Sequence, residues 1–538
     1  MGKMLKFMGL KFMVASVAIL PGLIENAVAT QPSTQATAQR IDAAIADELF
    51  NDETNLAPQT DDETYLRRVW LDLVGDIPTP EEVTAFVLDP SPDKRERTVR
   101  QLLASPYYGQ NWARYWRDVV FSRTLEDRAY IAANAMETDL AGWLNKSEGW
   151  DKIASRFINA QGNVLEHGNT AIMMAQDGRT EETTAEISRI FLGIQIQCAQ
   201  CHDHPSDRWK REQFHELAAF FPRIGIRRVR GMTKRSFEVF GADRFGRKPK
   251  KDNDRRPQAE HFMPDLENPT AKGTETQPKF FLTNATLPFG SSDAQRRSQL
   301  AQWLTENEWF AIALVNRVWS ELVGEGFYEP VDDIGPDREA TVPQAVKLLA
   351  NLFRQSDYDL KWLFRTICQT EAYGRESRPR HNSGETPLTA NVPQRLRSDQ
   401  LFNAAHSALD IVESNEGPAR RRRNGPRQQF AQTFGYDPSV SRDSVSASIP
   451  QVLALMNSPR IARAMTANRS SFLGRLLYEV EDDEQLIVEL YLRCLSRQPT
   501  DEELSMLLAY GEEVGNRRQT FEDLLWSLVN SAEFQYRK

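Results

Sequence analysis

The Cys-Ala-Gln-Cys-His run at residues 198–202 constrains the fold more than any other part of this sequence. Its two thiols are spaced one helical turn apart and are followed at once by an imidazole. The surrounding stretch, residues 191–221, contains two of the four cysteines and three of the seven histidines of the chain. A helical pattern at 181–196 runs straight into the cysteines, and a turn follows them. We therefore expect a helix end here, around which three further side chains gather: His202, His204 and Trp209.

A Cys-x-x-Cys-His run is typical of c-type haem attachment. Thiols at this spacing can add across the two vinyl groups of one haem, and the following imidazole can bind the iron. The sequence thus predicts covalent haem c on Cys198 and Cys201, with His202 as an axial ligand of the haem iron. His204 is a possible further metal ligand, and we expect it to orient the site by hydrogen bonding. The sixth iron ligand stays open among four nearby residues: Met173, Met174, His215 and His167.

Two other chemistries fit the same cysteines. In the first, the two thiols and His202 or His204 hold zinc or another metal as a structural clip, because the thiol spacing suits zinc. No second Cys-x-x-Cys run is present, and Cys368 and Cys494 stand alone. In the second, no cofactor is bound and the paired cysteines form a disulfide in an exported scaffold or interaction protein, with a link to polysaccharide processing as one option.

The first 29 residues have the pattern of a signal peptide. Three lysines, Lys3, Lys6 and Lys11, precede an apolar run at residues 12–24, and small residues at 27–29 form a cleavage site. The run is interrupted by Pro21 and is shorter than the roughly 20 residues of a membrane span, which favours cleavage over an uncleaved anchor. We expect an exported protein, periplasmic or secreted, without a transmembrane span after cleavage. Haem c is attached outside the cytoplasmic membrane, and disulfides can persist there.

The charge balance argues against a general nucleic-acid binder, since 66 basic and 75 acidic residues give a formal net charge of −9. The basic residues are unevenly spread: residues 208–256 contain sixteen Lys or Arg against six Asp or Glu. A second basic cluster lies at Arg420–Arg423 with Arg427. Such runs are commonly solvated surface, and the alternative is a docking face for a redox partner protein or an anionic polysaccharide.

Apolar spacing predicts a mainly α fold with two multi-helix domains. Residues 38–221 are expected to form a helical N-terminal domain that carries the Cys-x-x-Cys-His run. A linker or small β or irregular insertion covers 222–290, in which residues 224–229 and 236–240 alternate like strands, and a helical C-terminal domain covers 291–538. Thr79 before Pro80 marks one helix start, and Gly324 marks one helix end. Four aromatic side chains at helical spacing are expected in the core: Tyr108, Trp112, Tyr115 and Trp116.

Neighbouring carboxylates offer a hydrolytic alternative. Glu329, Asp332 and Asp333 follow the Gly326 turn, and paired acids can do acid and base chemistry on a glycan. Acids in such a turn more commonly cap the backbone or face solvent. The chain has no Gly-x-Ser-x-Gly run, no His-Glu-x-x-His run and no phosphate-binding glycine loop. The sequence therefore assigns no enzymatic activity to the chain.

Two regions of the chain resemble a known pair of domain families. The run 190–221, with Cys-x-x-Cys-His-Asp-His-Pro and Trp209, is similar to the cytochrome-c-like domain of unknown function DUF1549, abundant in planctomycete secreted proteins. The run 300–334, with the motifs at 358–361 and 397–401, resembles DUF1553, its usual companion. The resemblance implies a bound haem. In that family, the haem is itself inferred from the Cys-x-x-Cys-His run. Unlike many relatives, this sequence lacks a separate N-terminal cytochrome module, and its short middle region leaves little room for an inserted carbohydrate-binding domain.

Overall fold

Helices dominate the chain, which confirms the predicted mainly α class, and strands form only small sheets. The computed structural model describes residues 31–229, 236–244, 257–380, 384–412, 425–440, 459–469 and 471–538. The predicted signal peptide and the basic cluster at residues 420–423 lie outside these ranges. Within them, no helical segment combines the length and the apolar character that a bilayer crossing requires.

Short loops with strong capping residues separate the helices of the first half. The Thr79 hydroxyl accepts a hydrogen bond from the Glu82 amide, and the Glu82 carboxylate accepts one from the Thr79 amide, so a capping box starts the helix at Pro80 as predicted. The helices are α1 (Thr34–Leu49), α2 (Asp62–Val74), α3 (Pro80–Leu88), α4 (Lys94–Ala104), α5 (Pro106–Phe121), α6 (Ala133–Asn145), α7 (Trp150–Ile158), α8 (Ala171–Ala175), α9 (Thr180–Leu192) and α10 (Arg211–Ala218). Single 3-10 turns span Asp127–Ala132, Gly168–Thr170 and Gln197–Gln200.

The second half is built in the same way. The Asn307 side chain accepts a hydrogen bond from the Trp309 amide at 3.1 Å and starts one helix, which Gly324 ends in the left-handed conformation (φ 96°), as predicted. The helices are α11 (Asp293–Glu306), α12 (Glu308–Val323), α13 (Pro343–Gln355), α14 (Leu360–Cys368), α15 (Glu371–Gly374), α16 (Ser398–Ala408) and α17 (Pro426–Phe434). Further helices span Pro459–Met465, Phe472–Glu479, Asp483–Leu495, Asp501–Val514, Arg517–Asn530 and Ala532–Gln535.

The middle segment contributes most of a three-stranded antiparallel sheet. Strand β2 (Ile224–Arg228) pairs with β3 (Phe237–Gly241), and β1 (Gly162–Asn163) pairs with the other edge of β3. This confirms the two strands that the alternating pattern predicts here. The remaining strands form two-stranded ladders: β4 (His261–Met263) with β5 (Thr274–Thr276), β6 (Lys279–Phe280) with β7 (Ala285–Thr286), and β8 (Gln394–Arg395) with β9 (Tyr536–Arg537).

The predicted aromatic stripe of α5 is buried in the larger of two apolar cores. Trp116 stacks on Trp150 with ring centroids 4.5 Å apart, and Trp112 packs against Phe364 of α14 at 4.4 Å. This core combines side chains from both halves of the chain. The second core is also shared, because it contains Leu71 of α2 among residues of the C-terminal half. Packing between the two halves, more than the local stability of single helices, therefore holds the fold together.

A buried ion pair joins α2 to the far end of the chain. The Asp72 carboxylate accepts hydrogen bonds from Arg537 Nε at 2.7 and 3.0 Å and from the Tyr373 hydroxyl at 2.9 Å. Arg68, on the preceding turn of α2, is also buried and donates to the Arg375 carbonyl at 2.9 Å. Burial raises the pKa of Asp72, and the neighbouring Arg537 opposes that shift. Removing one partner of such a pair leaves the other as an uncompensated buried group.

Arg537→Ala is expected to lower the free energy of unfolding by about 3 kcal/mol or more, because Asp72 then stays buried without its cation. Urea unfolding followed by circular dichroism measures the change. The matched control is Arg518→Ala, which removes an exposed partner of Glu522 on the same helix and should cost less than about 0.5 kcal/mol. Equal effects of the two substitutions would contradict the role given to the buried pair.

Candidate functional site

Helix α9 leads towards the cysteines but stops before it reaches them. Gly193 follows the helix in the left-handed conformation (φ 66°), and its N–H donates to the Arg189 carbonyl at 3.1 Å. A β carbon at Gly193 would lie 2.8 Å from the Ile334 side chain, so the glycine also permits a close approach. The prediction of a helix that runs straight into the cysteines is therefore wrong, because the chain turns at Gly193 to pack against Ile334.

Cys198 lies in a 3-10 turn, Gln197–Gln200, and Cys201 follows this turn directly. Ala199 is fully buried, whereas Cys198, Cys201 and His202 are exposed. Both thiols are free. The buried alanine anchors the turn and leaves its reactive side chains in solvent. The structure thus brings the three predicted attachment residues together on one exposed turn.

The imidazole of His202 is oriented by the residue that follows it. His202 Nδ1 lies 2.7 Å from the carbonyl oxygen of Asp203. A carbonyl can only accept, so in the neutral ring Nδ1 carries the proton and Nε2 keeps a free lone pair. The Asp203 carboxylate accepts from Lys210 Nζ at 2.8 Å and from the Arg211 amide at 3.1 Å, and the Lys210 bond lowers the pKa of Asp203. In its neutral form, the His202 ring therefore offers the lone pair of Nε2 at the surface.

His204 is half-buried and bonded within its own loop. Its backbone N–H donates to the Trp209 carbonyl at 2.8 Å, and its Nδ1 accepts from the Ser206 amide at 3.4 Å. Trp209 is buried against Phe281, with ring centroids 5.0 Å apart. These contacts fix the loop that follows the cysteines.

The candidates for a sixth iron ligand lie in different surroundings. Met173 and Met174 are buried on α8, at 0 and 1% exposure. The His167 ring packs against β1. His215 contacts the motif, because its Nε2 lies 3.0 Å from the Gln200 carbonyl oxygen, but both of its ring nitrogens already have hydrogen-bond partners. The arrangement therefore selects none of the four.

The structure adds one residue that the sequence did not single out, His261 on β4. Its Nε2 lies 2.8 Å from Nδ1 of His215, and the two buried rings are nearly parallel, at 21° with centroids 5.1 Å apart, so the hydrogen bond joins them edge to edge. Burial lowers the pKa of both imidazoles to about 4, and the second ring adds to the shift at His215. Both are therefore neutral at pH 7. No local pattern signals this pair, because its members are 46 residues apart in the sequence.

The two remaining cysteines are buried and free. Burial raises the pKa of the Cys494 thiol to about 12 and moves that of Cys368 still further above its ordinary value. Both thiols are therefore protonated and unreactive at neutral pH. Within the described ranges, no group of three or more His, Cys, Asp or Glu side chains is placed so that it could hold a metal ion.

The acids after α12 are engaged in structural contacts. They are Glu329, Asp332 and Asp333. Asp332 is fully buried among three arginines, at 2.9 Å from Arg189, 3.6 Å from Arg317 and 3.7 Å from Arg123. Burial opposes ionisation, but the arginines prevail and hold the pKa of Asp332 below its ordinary value. Glu329 accepts a backbone N–H at 2.7 Å, and Asp333 pairs with an arginine at 3.2 Å. This arrangement does not present an open pair of acids to a glycan.

Ion pairs occupy much of the described part of the basic stretch 208–256. Arg208 pairs with Asp337, Lys210 with Asp203 and Arg227 with Glu238. Nine of the sixteen basic residues of this stretch fall in 230–235 and 245–256, outside the described ranges. Most of the net positive charge of this stretch therefore lies outside the residues that the structure describes.

Two family models match the chain, in the order that the resemblance implies. Residues 40–225 match a protein of unknown function (DUF1549), and residues 296–433 match a protein of unknown function (DUF1553). No curated protein and no solved structure matches the chain. The turn that carries the cysteines lies in the first matched region, together with His215. Asp332 lies in the second matched region, and His261 lies between the two. The chain therefore belongs to the proteins in which a DUF1549 domain is followed by a DUF1553 domain.

Proposed function

We propose that this protein is exported, carries one covalent c-type haem on Cys198 and Cys201, and transfers electrons. The observation that carries the proposal is the exposed turn on which two free thiols precede a histidine with an unprotonated Nε2. A zinc clip needs four ligands, and within the described ranges no three His, Cys, Asp or Glu side chains are placed to hold a metal ion. A disulfide gives His202 no role. The signal-peptide pattern of residues 1–29 supports export.

The chemistry of attachment fits the side chains present. Each thiol adds across one vinyl group: a sulfur–carbon bond forms, and the thiol hydrogen ends on the other vinyl carbon. This addition needs reduced, accessible thiols, as Cys198 and Cys201 are. His202 would hold the iron through Nε2, because its Nδ1 is committed to the Asp203 carbonyl. When bound, the haem supplies an iron that cycles between the ferrous and ferric states.

The position of the turn favours exchange with a redox partner protein. Cys198, Cys201 and His202 are all exposed, so a partner can approach the attachment point directly. A docking role for the basic stretch after Arg208 would depend on residues beyond its ion-paired part, such as the exposed Arg228. An anionic polysaccharide is the alternative partner for such charges.

Wild-type protein, exported in cells that contain c-type haem maturation machinery, is expected to give a pyridine haemochrome spectrum with one haem per chain. Cys198→Ala removes one thioether and should lower covalent haem severalfold, because a single attachment point remains. Cys368→Ala is the matched control: it removes a buried thiol outside the turn and should leave the haem content unchanged.

A colourless wild-type protein would refute the haem proposal. Metal analysis and thiol counting would then separate the other two chemistries. One zinc per chain indicates a metal clip, and two missing thiols indicate a Cys198–Cys201 disulfide in an exported scaffold or interaction protein.

His202→Ala is expected to change the visible and electron paramagnetic resonance spectra of the attached haem, because the iron loses its axial nitrogen. Added imidazole should restore the wild-type band positions. The matched control is His204→Ala, which removes a half-buried ring bonded within its loop and should leave the band positions unchanged. Wild-type spectra from the His202 variant without imidazole would rule out His202 as the ligand.

A further inference from the structure

Two directional hydrogen bonds connect β4 to the turn that carries the cysteines. The Gln200 carbonyl oxygen lies 3.0 Å from His215 Nε2 and can only accept. In a neutral ring this places the His215 proton on Nε2 and leaves its Nδ1 as an acceptor. His261 Nε2, 2.8 Å away, must then donate to that Nδ1. His261 thereby selects the tautomer with which His215 holds the turn.

We propose that His215 and His261 are positioning residues, which fix the backbone between Cys198 and Cys201 through the Gln200 carbonyl. Gln200 lies between the two cysteines, so holding its peptide group sets the path that spaces the thiols. The consequence for haem attachment rests on the proposed function, whereas the hydrogen-bond chain is a property of the polypeptide alone. His261 acts from the segment between the two family domains.

Burial affects the charge of His215 and His261 more than the charged groups around them do. On α10, Arg211 lowers the pKa of His215, and on α9, Glu181 acts in the opposite direction. On β6, Lys279 is paired with Glu216 at 3.2 Å. On β5, Glu275 is opposite Phe262 and so lies on the other face of the ladder from the second histidine. Both rings are neutral at pH 7, as a hydrogen-bond chain with one fixed direction requires.

His261→Phe is expected to loosen the turn, because it keeps an aromatic ring but removes the donor to His215. Hydrogen exchange followed by mass spectrometry reports on the Ala199 amide, which donates to the Ile196 carbonyl at 3.0 Å. Its protection should fall about tenfold, the factor expected for one lost hydrogen bond. The matched control is His406→Phe, which replaces a histidine that stacks on Phe402 of α16 and should leave this amide unchanged.

His261→Gln separates hydrogen bonding from packing. The glutamine amide can donate to His215 Nδ1, so the protection of Ala199 should return to within about twofold of wild type. Equal losses in the Phe and Gln variants, or no loss in either, would overturn the proposal. If the Phe variant does not fold, nitrogen-15 spectra of histidine-labelled wild type decide the question, because the proposal requires His215 to be protonated on Nε2 only.

Acidification provides an independent check. The imidazole pKa lies near 6.5 when the turn is open and near 4 when it is closed, so the open state binds more protons between these values. The protection of Ala199 should therefore be constant above pH 6.5 and fall as the pH is lowered towards 4. With two titrating histidines, the protection of Ala199 should fall by more than tenfold per pH unit. In His261→Phe only His215 titrates, so the fall should be at most tenfold per pH unit. A pH-independent wild type would contradict the proposal.

The failure of this inference can be distinguished from that of the haem proposal. All exchange experiments use the mature chain without added haem. If the protein is colourless but His261→Phe loosens the turn, the positioning role stands and the haem proposal is refuted. If haem is bound, His261→Phe should lower its amount per chain and His261→Gln should not. Normal haem loading together with unchanged exchange in the Phe variant would reject the positioning role alone.

Discussion

The position of the turn that carries the cysteines depends on the buried ion pairs around Asp332. Its carboxylate accepts from Arg189 on α9 at 2.9 Å and from Gln195 at 3.0 Å, and so holds the chain on both sides of the Gly193 corner. Arg189 belongs to the DUF1549 domain and Asp332 to the DUF1553 domain. A charge so deeply buried is stable only when it is compensated. The DUF1553 domain therefore helps to hold the turn that carries the cysteines in place.

Much of the fold could be predicted because its signals are local. Thr79 and Gly324 mark helix ends through hydrogen bonds that span a single turn, and the aromatic side chains of α5 recur at the helical period. The pairing of β2 with β3 likewise follows from two alternating segments that are close in the sequence. The closeness of Cys198, Cys201 and His202 was predictable for the same reason, since the three residues lie within five consecutive positions.

The rest of the site could not be predicted, because it depends on contacts between distant residues. His261 is an ordinary residue of a short strand until the fold brings it to His215. The end of α9 was missed because apolar residues continue past Gly193, and only the approach of Ile334 explains the corner. The acids after α12 gave a glycan-directed hypothesis, since no sequence pattern reveals that Arg189, 143 residues away, pairs with Asp332.

The ion pair between Asp72 and Arg537 also sets an order of events during synthesis. Its partners are 465 residues apart, so α2 leaves the ribosome long before its counterion exists. Contacts of such high sequence separation form late, and until then the apolar face of α2 has no complete core to enter. The first half of the chain therefore cannot complete this buried contact until its last residues have been made.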